Sequence, residues 1–196
     1  RDSKGLKFLE VVSAAYNKAG LTEAEAQRVN RALGLSDLIA QHIAQHRHEV
    51  PPVLKLVASG IQATGTKYFT ADKASLKEVN IGWTGSNFDQ HFFDKVEENI
   101  PDATLAIHRL ETGSLDAQIR KELGQEREEI ALAHFFDLLK KQSKGQTGNM
   151  LVNGYANIAY IRDKDGNLWA VHAHWNSDIH YWGILAYSVE DPDDWS

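Results

Sequence analysis

Cysteine is absent from all 196 residues. That one lack removes disulfides, thiolate metal sites and every mechanism built on a cysteine nucleophile. Long apolar runs are missing as well. Lys, Glu or Asp interrupts each hydrophobic patch well before the roughly 18 residues that a membrane helix needs, so no membrane span is expected. Nor is there an excess of basic residues: 21 Lys and Arg against 27 Asp and Glu give a formal net charge of -6. A duplex-wrapping protein usually presents a basic face to phosphates, and nucleic acid is therefore not the expected partner. Lys140, Lys141 and Lys144 in "LLKKQSKGQTGN" form the best basic patch. A lysine-rich helix end of this kind more simply complements the helix dipole. The G-x-S-x-G elbow, the Walker loop, the dinucleotide fingerprint and H-E-x-x-H are all absent, which leaves the common hydrolase, nucleotide and zincin signatures without a foothold. The chain opens at Arg1 and carries no signal-like segment. Its compartment stays open between cytoplasmic and exported after removal of a leader.

What is present is an ordinary globular composition, 42% hydrophobic and 24% charged. A chain of this length can bury a sizeable core as a single domain, residues 1–196. Up to about residue 145 the pattern reads as helices. Leu6, Leu9, Val12 and Tyr16 fall at helical spacing before Gly20. Thr22 and Glu25 have the spacing of a capping box, and Gly34 closes that helix. A third helix is expected from Ser36 to the Pro51-Pro52 pair, a fourth through Leu54, Leu56, Val57 and Ile61, and others over "FDQHFFDKVEEN", "PDATLAIHRL" and Ser114 to Lys141. From residue 150 to 190 the texture changes. "YANIAYIRDKDGNLWAVHAHWNSDIHYWGILAYSV" is rich in Ile, Val, Tyr and Trp, and "DKDGN" and "NSD" are turn signals. The expected fold class is α+β: an N-terminal layer of six or seven helices, then a C-terminal three-stranded antiparallel β-meander over about 155–162, 167–175 and 179–188.

Three of nine histidines lie in "VHAHWNSDIH". If the turn spans three residues, His174 faces His180, and His172, His174 and His180 emerge on one side of the sheet. A turn of even length sends His180 elsewhere. Three readings of this face compete. As a metal site, His172, His174 and His180 would hold zinc or another divalent ion with a water in the open position, and Asp178 or Asn176 would orient a ring. Without a metal, His174 and His180 would divide general acid and general base roles, again with Asp178 as orienter. In the third reading the rings simply sit beside Trp on a half-buried sheet, satisfied by backbone or water.

Elsewhere, His42 and His46 are four apart on a helical stripe, and His134 lies on the stripe of Ile130 and Leu138. Asp163, Asp165 and Asn167 alternate like the start of a calcium loop, but no bidentate Glu follows, so a hairpin turn is the simpler reading. Two functions follow as expectations. One is a His-centred hydrolase, metal-dependent or not, acting on a small-molecule or polymer substrate in a cleft between the meander and the helix of His42 and His46. The other is a non-catalytic acidic module that meets a basic protein partner through the aromatic meander surface.

Overall fold

The computed structural model describes residues 3–30, 34–45, 52–124, 129–190 and 195. Two compact units emerge, Arg1–Val50 and Pro51–Ser196. The first contains α1 (Ser3–Lys18), α2 (Glu23–Asn30) and α3 (Leu35–Gln45). Gly20 and Gly34 stand between them with φ of 60° and 86°, the left-handed geometry that ends helices. At the start of α2 the backbone N–H of Thr22 donates to Glu25 Oε2 at 2.9 Å, and the Thr22 hydroxyl donates to the same oxygen at 2.7 Å. Glu25 thus reaches back to both Thr22 donors, the backbone half of the expected capping box.

The second unit overturns the expected helical layer followed by a three-stranded meander. Eight strands are described, and five of them precede residue 111. Strand β1 (Leu54–Ala63) pairs antiparallel with β5 (Ala103–Leu110), and β2 (Thr66–Thr70) pairs with β4 (Val96–Ile100). Between them lie α4 (Lys73–Glu78), β3 (Ile81–Thr84) and α5 (Ser86–Phe92). Short apolar segments fit both helical and alternating spacing, and tertiary pairing decides between them. In β5, Ala103, Leu105 and Ile107 turn inward while Thr104, Ala106 and His108 are exposed, which is the period of a strand. The long helix expected to Lys141 is also divided. After α6 (Asp116–Leu123), Gly124 takes a φ of 84°, and α7 (Leu132–Lys141) begins anew.

The last strands, β6 (Asn157–Arg162), β7 (Leu168–Asn176) and β8 (Tyr181–Ser188), are antiparallel neighbours. They belong to a four-stranded mixed sheet of order β3-β8-β7-β6, because β3 adds parallel to β8. One face of that sheet is dry. Ile161, Val171, Ala173, Trp175, Trp182 and Ile184 pack with Phe88 and Phe92 of α5 and with Phe135 and Leu139 of α7. Helix α7 has no side-chain cap of its own at Ala131. Glu97 of β4 supplies one, accepting from the backbone N–H of Leu132 at 3.0 Å and of Ala133 at 2.8 Å. The opposite face of the sheet is covered in part by a smaller cluster of Val53, Ile119, Tyr160 and Ala170. It also carries His172 and His174, because alternate residues of a strand share a side.

Candidate functional site

The hairpin between β7 and β8 decides which histidines meet. Asn176 pairs with Tyr181, Trp175 with Trp182, His174 with Gly183 and His172 with Leu185. The loop is therefore residues 177–180, an even length, and His174 faces Gly183 instead of His180. An Asx turn closes it: Asn176 Oδ1 accepts from the backbone of Asp178 at 3.0 Å and of Ile179 at 3.3 Å. His180 sits in this loop with a φ of 56°, exposed like Asp178. The three-histidine ligand set and the His174, His180, Asp178 trio are accordingly not assembled. His172 and His174 are, with ring centroids 5.7 Å apart. Gly183 permits the placement, since a Cβ there would lie 2.6 Å from Cε1 of His174.

His172 is the centre of an aromatic box. Tyr187 lies 5.3 Å away and Trp195 5.7 Å away, centroid to centroid, and those two rings are perpendicular to each other at 5.5 Å. Trp195 is pinned from behind. Its indole N–H donates to Asp116 Oδ1 at 2.9 Å, and its backbone exchanges two 3.0 Å hydrogen bonds with Ser114. Asp116, buried at the start of α6, also accepts from the Tyr160 hydroxyl at 2.5 Å. Inside the box both ring nitrogens of His172 are shielded from solvent and have no hydrogen-bond partner, alone in this among the buried side-chain polar atoms of the described residues. Desolvation, and secondarily the nearby His174, push its pKa down to about 4. The ring is thus neutral across the physiological range. Buried polar atoms are nearly always paired with protein or ordered water, so an imidazole without a protein partner marks a candidate site.

A different cluster draws together a histidine and carboxylates. His91, Asp163 and Asp165 bring three ligand atoms close, the one such group among the described residues. Asp163 is saturated, however. Its Oδ1 accepts from the backbone of Asp165 at 2.9 Å and of Asn167 at 2.8 Å. Its Oδ2 takes Trp169 Nε1 at 2.9 Å, the Asn167 amide at 3.3 Å and His91 Nδ1 at 3.2 Å. Burial alone would raise the pKa of this carboxyl, but the donors from Asn167, Trp169 and Asp165 outweigh it and hold the pKa below its usual value. With its lone pairs spent, Asp163 ties the β6–β7 turn to α5, and the His91 ring completes the clasp 4.2 Å from Trp169.

The remaining sequence candidates are dispersed. His42 is exposed on α3, and His46 lies outside the described residues. His134 is buried, with Nε2 against the Pro101 carbonyl at 2.8 Å. Lys140 pairs with Glu78, and Lys141 with Asp137. Trp175 and Trp182 belong to the core. Sequence reasoning missed Asp116, Tyr187 and Trp195. The first is 44 residues from its Tyr160 partner, and the last stands in an acidic tail that carries no periodicity to read. No helix among the described residues is long and apolar enough to cross a membrane. No family model, curated protein or solved structure matches the chain.

Proposed function

We propose that the protein is a His-centred hydrolase working from His172 and His174 on β7, with a divalent ion such as zinc as its cofactor. The observation that carries this is the pair of unpartnered ring nitrogens of His172. Its low pKa supports the metal-dependent chemistry over the metal-free one. A general base works best with a pKa near the operating pH, and a ring whose pKa is about 4 is a weak one. A metal ligand must instead be neutral, which such a ring always is near pH 7. His172 and His174 project from one strand face two residues apart, so both can approach a single ion. Two protein ligands would leave the remaining positions of the ion to water or substrate. The ion would supply an activated water; the aromatic walls of Tyr187 and Trp195 would limit access and shape the substrate's approach.

The test is metal content of protein purified without a His-tag, followed by zinc titration and hydrolysis of chromogenic ester and phosphodiester probes. His172→Phe and His174→Ala are each expected to lose zinc uptake and any zinc-stimulated turnover. Unchanged zinc affinity in both variants would defeat the proposal.

A further inference from the structure

A second location carries an inference independent of His172. Where α7 begins, a cavity of about 340 Å³ opens beside β4, β5 and β6, at the small end of the roughly 300–1,000 Å³ usual for ligand pockets. Its charged lining is Lys95, Glu97, Glu129 and Arg162, with His134 beside them and an apolar floor that includes Ala103 and Leu105. The two carboxylates are committed. Glu97 caps α7 through two backbone N–H groups and also takes Lys95. Glu129 holds Arg162 at two points, 2.8 and 2.6 Å.

The cations are not used up. Lys95 has a side chain only 11% exposed, and among the described residues its ammonium meets one acceptor, Glu97. An ammonium carries three donors. Arg162 spends Nε and Nη2 on Glu129 and Nη1 on the Gly166 carbonyl, which leaves part of its five-donor fork open. Glu97 already has the N-terminus of α7 to neutralise it, so capping alone gives no reason to bury Lys95, and a buried ion pair is a poor device for stability in its own right. Donors are in surplus beside an apolar floor.

We propose that this cavity binds a small organic anion, a carboxylate or phosphate monoester with a short apolar body. Lys95 and Arg162 receive its oxygens, and Ala103 and Leu105 carry its body. The guanidinium fork suits planar or tetrahedral oxyanions, and the His134 ring beside it is held by Nε2–H donated to the Pro101 carbonyl.

Titration of the intact protein with butyrate, propyl phosphate, butanol and sodium chloride at matched ionic strength, read by amide NMR shifts, tests this. Saturable shifts at Ile130, Ala131 and His134 with one or both organic anions, and none with butanol or chloride, are expected. Ala103→Leu fills the cavity without removing a charge and should bind more than about tenfold more weakly while melting no lower than wild type; Lys95→Gln should lose about tenfold, one ion-pair's worth of affinity. Butyrate against propyl phosphate tells which anion class is preferred. Equal shifts with chloride, absence of saturable shifts, or undiminished binding by Ala103→Leu would overturn the proposal. Should Lys95→Gln fail to fold, the Ala103→Leu result decides alone.

Discussion

The two faces of the four-stranded sheet are built on opposite principles. On the dry face, Trp182, Val171, Ile184 and Ile161 are fully buried against α5 and α7, and the one polar atom of Trp182, its indole N–H, has the Gln142 carbonyl at 3.2 Å. The core there is built of apolar side chains, with Trp175 and Trp182 edge to face at 5.4 Å. On the other face, His172 is enclosed by rings and left without any partner, while neighbouring Asp116 is given two donors. Among the described residues, the fully shielded side-chain polar atoms without a protein partner are the two ring nitrogens of His172. That contrast is the reason to look for chemistry at His172 and not at the better-bonded His91.

Substitutions on the two faces should separate stability from function. Trp182→Ala empties the centre of the dry face and should cost about 3–5 kcal/mol, seen as a large fall in the denaturant midpoint. Asp116→Ala removes the acceptor shared by the Tyr160 hydroxyl and the Trp195 indole. About 2–3 kcal/mol of destabilisation is expected, with faster chemical modification of His172 as Trp195 loses its anchor.

Acid should act through the same imidazole. The folded-state pKa of His172, about 4, lies below the ordinary 6.5, so the unfolded chain takes up this proton first as pH falls. Its contribution is complete above pH 6.5 and is lost between 6.5 and 4. With the ring only partly buried, roughly 2 kcal/mol is expected from this one group. Denaturant midpoints of wild type and His172→Phe, compared between pH 7 and 4, should diverge as pH falls, with wild type losing stability that the variant keeps. A constant difference across that range would remove the assignment.

Smaller effects probe the geometry itself. Gly183→Ala sets a methyl against the His174 ring and should cost about 1 kcal/mol while displacing His174 and weakening zinc uptake. His172→Phe should be the smallest of all in stability, neutral or slightly favourable, because replacing unsatisfied nitrogens with carbon removes a desolvation penalty of about 1–3 kcal/mol. A clear destabilisation by His172→Phe would mean that the imidazole has partners after all.

Legibility in the sequence followed how local each signal was. Gly20, Gly34 and Gly166 punctuate the chain with positive φ, because helix ends and tight hairpins are set by a few adjacent residues. The strand-rich texture after residue 155 likewise leads to β6, β7 and β8. By contrast, Leu54, Leu56, Val57 and Ile61 satisfy a helical stripe, yet they lie in β1 because β5 is there to pair with them. Neither strand could be told from its own sequence. The same limit governed the site. His172 and His174 share a face by period alone, whereas the place of His180 depended on a four-residue loop closed by Asn176. The pinning of Trp195 by Asp116 joins residues 79 apart, and no spacing rule reaches so far.

If His172 and His174 hold an ion together, the neutral ring nitrogens of His172, without a protein partner among the described residues, must respond to it with those of His174. Imidazole ¹⁵N NMR at pH 7 during a zinc titration addresses it directly. The account predicts that the His172 and His174 ring nitrogens shift together, and that the His174 response weakens in His172→Phe. Zinc that perturbs His91 or the exposed histidines while leaving His172 and His174 unmoved would contradict it.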